Sequence, residues 1–379
     1  MKRTDRDVPD DALLASVAAH SLGKLPVLSA EQFQALCRDM QGAFPDLVQR
    51  SLNGLVEHGG AATSSSSRAE FDICGPEPSP VDFDWRFDQR TALRLAETLI
   101  GPGNREVLCV GAPTVYGAIR SLGGKGFLVD RNPLLARNLA PGTYCIADIS
   151  TEEMLDQQFG HKFDAAIIDP PWHPEAYGLW LARTQPLLRA GADVFVTMFR
   201  RFTRPGALEE RAQLLERFEK IGRVSGVPFE AVYSTPPFEQ EVLLRLGLPN
   251  LPSWRAADIY KIALHQQPEL SVFHPVAWPT HKWKRYSLDG QVIAVKDIPD
   301  DEGKIQVASE FPSCIKTVSQ RDPARSLYTV WTSRSCAAVV RGTKRLAAIL
   351  ERSGEVPVEQ SDLQAASQLA RDLGFQFRR

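Results

Sequence analysis

The stretch EVLCVGAPTVYGAIRSLGGKGFLVD, residues 106–130, reads as strand, turn, helix and second strand. EVLCVG (106–111) is a short apolar run closed by a glycine, and KGFLVD (125–130) is another closed by an aspartate. Runs that are apolar throughout, rather than at every second residue, suit strands buried on both faces. Working outward, YCIADI (144–149), FDAAIID (163–169) and ADVFVTMF (192–199) repeat the pattern. Helical stretches such as EAYGLWLARTQPLLRA (175–190) and ALEERAQLLERFEKIG (207–222) separate or follow them. Strands alternating with helices predict a Rossmann-like, doubly wound α/β domain over 82–267. Its last two runs, FEAVYST (229–235) and DIYKIAL (258–264), show no clear helix between them and point to an antiparallel edge.

The flanks differ. Within residues 1–60, DDALLASVAAHSLGKL (10–25) and SAEQFQALCRDMQGAF (29–44) have helical spacing of apolar residues behind Asp or Ser caps. Ser29 and Gln32 have the form of a capping box. GGAATSSSSRAE (59–70) cannot bury enough surface to offset its ordering entropy, so 61–81 is expected to be a flexible linker, with CGPEPSP (74–80) as proline punctuation. Beyond 268, WKRYSLDGQVIAVKD (283–297) carries a DG hairpin signal, IQVAS (305–309) and SLYTVWTS (326–333) look strand-like, and KRLAAILERSG (344–354) and SDLQAASQLARDLGF (361–375) read as helices. Residues 268–379 are therefore expected to form a smaller β-rich domain with terminal helices, suited to substrate recognition.

Composition excludes several classes. With 43% hydrophobic and 24% charged residues in 379, the chain is neither disordered nor fibrous. No apolar run approaches the ~20 residues that span a bilayer. The opening MKRTDRDVPDD lacks the apolar core of a signal peptide, so a cytoplasmic location is expected. The six cysteines stand singly, without CxxC spacing or nearby histidine pairs, and so no metal site is expected. A net charge of -2 argues against coating a polyanion by electrostatics alone; nucleic acid would need a local patch.

In open parallel sheets, ligands lie outside the carboxyl ends of the strands. Gly111 sits at one such end, followed by Ala112 and Pro113, and Asp130 sits at the next, nineteen residues on. An acid at that distance is placed to hold ribose hydroxyls. The missing three-glycine fingerprint makes a dinucleotide the weaker choice, and S-adenosylmethionine, an adenosine ligand without phosphate, fits better. Asp169-Pro170-Pro171-Trp172 closes FDAAIID. Two prolines make that loop stiff, the Asp169 carboxylate and Pro170 carbonyl can accept hydrogen bonds from an amino group, and Trp172 offers a flat face for stacking.

DPPW in this place resembles the (D/N/S)PP(Y/F/W) motif of class I S-adenosylmethionine-dependent amino-methyltransferases, which act on exocyclic base nitrogens or on amide and amine nitrogens of proteins. DWRFDQRTALRLAETLI (84–100), VLCVGAPTVYGAIRSL (107–122) and DPPW follow the order and wording of the "probable N6-adenine methyltransferase" family, which includes elongation-factor lysine methyltransferases. The resemblance covers roughly 82–267. It implies a class I methyltransferase domain, catalysis at Asp169, Pro170, Pro171 and Trp172, and cofactor contacts at Gly111, Ala112 and Pro113. Asp130 would hold the ribose, Asp148 would lie near the adenine, and Phe87 and Thr91 would cover the methionine end. Asp148 and Thr91 could equally be helix caps, and Phe87 could be core.

FRRFTR (199–204) follows the strand beside DPPW, so Arg200, Arg201 and Arg204 are expected at the substrate mouth. From 316 to 345 seven cations face one acid, and HKWKRY (281–286) interleaves aromatic and basic residues as nucleic-acid surfaces do. Three readings stay open. The first is methyl transfer to the N6 amine of adenine in DNA or RNA. The second is transfer to lysine or glutamine in a protein, and the third is a non-catalytic scaffold. The sequence leaves the oligomeric state open.

Overall fold

The structure, a computed structural model, describes residues 29–51, 76–149, 163–265, 282–310, 323–351 and 358–376. The helix read at 10–25 and the tract at 59–70 lie outside the described residues.

Two helices come first, α1 (Ala30–Asp39) and α2 (Pro45–Ser51). The Ser29 capping box forms, with Gln32 N donating to Ser29 Oγ and Ser29 N to Gln32 Oε1. Phe33, Leu36, Cys37 and Met40 of this region pack in one cluster with Leu251 and Trp254, so these helices are part of the core wall. There follow β1 (Arg86–Phe87), α3 (Gln89–Ile100), β2 (Glu106–Val110), α4 (Pro113–Ser121), β3 (Lys125–Asp130), β4 (Tyr144–Ile146) and β5 (Phe163–Ile168). Then come α5 (Pro174–Thr184), β6 (Leu188–Met198), α6 (Ala207–Ile221), β7 (Gly222–Gly226), β8 (Ala231–Ser234), α7 (Pro237–Arg245) and β9 (Ala256–Leu264).

These strands form one sheet in the order β1-β8-β9-β6-β5-β2-β3-β4, with β7 also pairing along β9. Pairings from β4 to β6 are parallel, and those of β7, β8 and β9 are antiparallel. Along β2, Val107 and Cys109 enter one apolar cluster with α3 and α4, while Leu108 and Val110 enter another with α5 and α6. Burial of both faces is the physical reason EVLCV carries no polar alternation. The chain runs from β2 to β3 and β4 on one side, then returns to β5 and β6 on the other. That reversal opens a crevice at the carboxyl ends of β2 and β5.

Two expectations are corrected here. The antiparallel edge is present, yet a helix, α7, stands between β8 and β9; it opens on Pro237, whose fixed φ suits a first helical position, and buries Phe238, Val242 and Leu243. Residues 76–81, expected as linker, are fixed by contacts. Ser79 and Val81 are buried, and Glu77 binds Ser333 and Arg334.

The remaining elements are β10 (Trp283–Leu288), β11 (Gln291–Lys296), β12 (Gln306–Val307), β13 (Val330–Thr332), β14 (Ala337–Ala338), β15 (Val340–Arg341), α8 (Thr343–Glu351) and α9 (Gln360–Asp372). The DG signal is the hairpin turn between β10 and β11, with φ of 49° at Asp289 and 79° at Gly290. Strands β10, β11, β13 and β14 form a sheet against which α8 and α9 pack. Its Arg285 grips the buried Asp82 with two nitrogens, at 2.8 and 2.5 Å. Among the described residues no helix is long and apolar enough to cross a membrane.

Candidate active site

At the end of β5 the half-buried Asp169 is held from two neighbouring strands. Thr197 Oγ1 on β6 and the Tyr233 hydroxyl on β8, the latter at 2.7 Å, both donate to its Oδ1. Because both bonds fall on one oxygen, Oδ2 is left without a partner among the described residues. Burial pushes the carboxyl up to about 7, while the two hydrogen bonds and nearby Arg255 favour its ionised form; Asp84 adds to the rise. Pro170 is buried, and its carbonyl has no partner among the described residues. The Pro171 carbonyl accepts from His173 N at 2.6 Å, which tightens the turn into α5. A carboxylate oxygen and the carbonyl of the next residue are thus unengaged acceptors, the kind of pair an amino group requires.

An aromatic wall backs this loop. Phe87, 3% exposed, stacks on Tyr233 with ring centroids 4.8 Å apart. Trp172 meets Tyr233 edge-on at 5.9 Å, and Trp85 does so at 6.4 Å. The Arg255 guanidinium lies between two indoles, 3.8 Å from the Trp172 centroid and 4.5 Å from that of Trp85. One face of Trp172, expected to be open for stacking, is therefore covered by a cation. Glu239, 4% exposed at the start of α7, has its carboxyl pushed up to about 7 by burial, with Arg255 pulling it down.

The other half of the crevice belongs to β2 and β3. Gly111 has φ +62°, and a Cβ there would lie 2.8 Å from the Trp180 indole. Only glycine fits both the backbone conformation and the space. Ala112 and Pro113 are buried at the start of α4. Asp130 Oδ1 accepts from Asn132 N at 2.8 Å, and its other oxygen has no partner among the described residues. Burial, then Asp84 and Asp82, push the Asp130 carboxyl up to about 7. Asp148 comes to the same side, 3.7 Å from Arg131, which also binds Asp82 at 3.0 Å.

The two open questions about the α3 start have structural answers. Asp88 is the cap, accepting from Thr91 N at 2.7 Å. Thr91 is buried, and its Oγ1 accepts from Val232 N at 3.1 Å, tying α3 to β8. Phe87 supports Tyr233 from behind.

The arginines after β6 divide. Arg200, 7% exposed, binds Glu230, Asp258 and the Arg38 carbonyl, and so turns into the protein. Arg204 pairs with Glu210 and lies over the Phe199 ring. Of the three expected at the mouth, only Arg201 is exposed. The stretch also missed in the sequence reading is the set Thr197, Tyr233, Arg255, Trp180 and Asp84. Thr197 left one trace, as a polar residue inside the apolar end of ADVFVTMF, on the strand beside DPPW.

The crevice thus gathers a carboxylate after β5, a glycine after β2 and an acid closing β3. Residues 84–208 match the model of the "Probable N6-adenine methyltransferase" family. The matched segment runs from Asp84 through DPPW and β6, and leaves out Tyr233, Arg255 and the whole β-rich region. The branched-chain polyamine synthase of Thermus thermophilus, solved with N4-aminopropylspermidine and 5'-methylthioadenosine, is 15% identical over 71% of this chain and 97% of its own, with a TM-score of 0.45. An rRNA methylase from Streptococcus thermophilus is 12% identical over 48% of this chain and 98% of its own, at a TM-score of 0.28. The N-methyltransferase NodS from Bradyrhizobium japonicum, in complex with S-adenosyl-L-homocysteine, is 9% identical over 46% and 87%, at 0.29. No curated protein matches the chain.

Proposed function

We propose that the chain is an S-adenosylmethionine-dependent N-methyltransferase whose acceptor is the N6 amine of adenine in DNA or RNA. The observation that carries the reading is Asp169, held at one oxygen by Thr197 and Tyr233 and unengaged at the other, beside the unengaged Pro170 carbonyl.

The crevice suits the cofactor. Gly111, against which the Trp180 indole packs, presents bare backbone at the end of β2, and the unpartnered oxygen of Asp130 suits ribose hydroxyls. Asp82, Asp84 and Asp130 raise the local cost of negative charge, which a ligand bearing sulfonium and ammonium groups relieves. Bound there, S-adenosylmethionine supplies a methyl group already activated on sulfur. The chain's own work is then alignment and exclusion of water. Asp169 Oδ2 and the Pro170 carbonyl accept the two N–H bonds of an exocyclic amine and turn its lone pair outward. Thr197 and Tyr233 fix the carboxylate's orientation. The proton released by the methylated nitrogen can rest on Asp169, whose affinity for it burial has raised.

The choice of adenine rests on the family match and on Arg255. A fixed cation beside the acceptor opposes a lysine ammonium and is indifferent to a neutral base amine. One observation favours the second reading, transfer to a protein amine. The cations read as a nucleic-acid face are largely paired: Arg334 with Glu77, Lys344 with Glu302, Arg345 with Asp362 and Lys284 with Glu351. Arg325 donates to the carbonyls of Pro80 and Val81; Lys316 and Arg321 lie outside the described residues.

The test uses methyl-labelled S-adenosylmethionine and a cell extract split into nucleic-acid and protein fractions. Label recovered as N6-methyladenosine or its deoxy form, and absent with Asp169→Ala, is the expected result. Label on protein lysine or glutamine replaces the first reading with the second. Label retained by the enzyme with no transfer in either fraction favours a scaffold.

A further inference from the structure

Arg255 lies just before β9, half-buried, and among the described residues its guanidinium donates no hydrogen bond and forms no ion pair. Arg200 and Arg211, which are buried, and the half-buried Arg285 each hold a carboxylate. Glu239 is near enough to be felt by Arg255, but no ion pair joins them. Two indoles lie against the guanidinium, so it is stiff and kept in one orientation with its N–H groups unengaged. Donors held in one place and left open at the crevice are set to meet the oxygens of a ligand. One of the two indoles, Trp172, belongs to the acceptor loop itself, so the missing partner belongs to whatever that loop binds.

We propose that Arg255 reads a phosphate of the nucleotide whose base is presented to Asp169. The inference rests on the nucleic-acid reading of the same site. A planar fork of N–H donors matches phosphate oxygens two at a time. Asp84, Asp130, Asp169 and Glu239 surround the crevice and oppose any free anion. The phosphate must therefore arrive joined to a group that the loop holds by other means, as a nucleotide's phosphate is joined to its base. Two devices then select the acceptor: the Asp169–Pro170 pair takes the amine, and Arg255 takes the charge attached to it.

The experiment is calorimetric titration of the full chain, saturated with S-adenosylhomocysteine so that the cofactor crevice is filled. Adenosine 5'-monophosphate, adenosine and the dipeptide Lys-Glu are the probes. Adenosine 5'-monophosphate should bind at least tenfold more tightly than adenosine. Arg255→Gln should weaken the monophosphate by about 10–100-fold, the range for a charged hydrogen bond, and leave adenosine nearly unchanged. Arg255→Lys should restore part of the preference, which separates a lost charge from a misfolded pocket. The proposal is overturned if the wild type does not bind the monophosphate or does not distinguish it from adenosine. Equal weakening of both ligands by Arg255→Gln overturns it too, as does a Lys-Glu complex that alone depends on Arg255. Should labelled methyl appear on lysine while the Arg255-dependent phosphate preference persists, the acceptor reading has failed and the phosphate site stands.

Discussion

Two groups of arginines in this molecule look alike in sequence and behave in opposite ways. In the β-rich region, Arg285 and Arg334 reach carboxylates supplied by residues 77–82, about 200 or more positions earlier, and Arg345 reaches one on α9. In the crevice, Arg255 has none among the described residues. Counting cations along 281–286 and 316–345 predicts a surface waiting for a polyanion; pairing removes most of that charge. A single arginine in WRAADIY (254–260) gives no signal to a charge count, yet it holds the unengaged donors. Local charge density says little about available charge, because the acids that cancel it come from any sequence distance.

The comparison breaks most easily at its buried end. Asp82 and Arg285 are 5% and 9% exposed, and Asp82 also holds Arg131. Asp82→Asn leaves a buried guanidinium uncompensated, and should lower stability by about 3–5 kcal/mol in urea unfolding. Arg334→Ala, at a site 52% exposed, should cost no more than about 1 kcal/mol. Equal losses for the two variants would mean that burial does not rank these pairs, and the contrast with Arg255 would lose its physical basis.

A second expected effect concerns the site alone. Tyr233→Phe keeps the ring that packs on Phe87 and Trp172 but removes one of the two bonds that orient Asp169. Transfer should slow by about 10–100-fold, the worth of one hydrogen bond to a charged group. Cofactor affinity should hold, since Tyr233 stands at β8, away from Gly111 and Asp130. A matching fall in cofactor affinity by calorimetry would make Tyr233 a support for the whole crevice rather than a positioning residue for Asp169.

What the sequence made legible follows from range. Gly111, Asp130 and Asp169 each end an apolar run, and a strand end is a local feature that the run itself announces. Thr197 and Tyr233 lie 28 and 64 residues beyond the aspartate they hold, and only the strand order brings them to it. Arg200 was misplaced for the same reason, since its partners Glu230 and Asp258 follow it by 30 and 58 residues. Helix α7 escaped notice because nine residues give barely two turns of periodicity. Residues 76–81 carry the prolines of a linker, and nothing in their composition shows that Val81 is buried among Ala294, Tyr328 and Trp331.

The smallest expected effect is a pH dependence, and its sign is unusual for carboxyl groups. Asp130 and Asp169 are pushed up to about 7, above the ordinary value of 3.8, chiefly by burial. Between those two limits the folded chain binds more protons than the unfolded one, so stability falls as pH rises. It is greatest below the unfolded value and is lost progressively through pH 7. The Arg285-bound Asp82 runs the other way: its carboxyl is held below the ordinary value, although burial alone would raise it, by Arg285 and Arg131. Its contribution is present at neutral pH and is lost only in acid. Asp130→Asn removes one crevice titration and leaves the Asp82 cluster intact. Between pH 5.5 and 8 the melting temperature of the cofactor-free wild type should therefore fall by a few degrees more than that of the variant. Parallel melting curves across that range would mean that Asp130 is already ionised at pH 5.5, and the crevice would then be better hydrated than its burial implies.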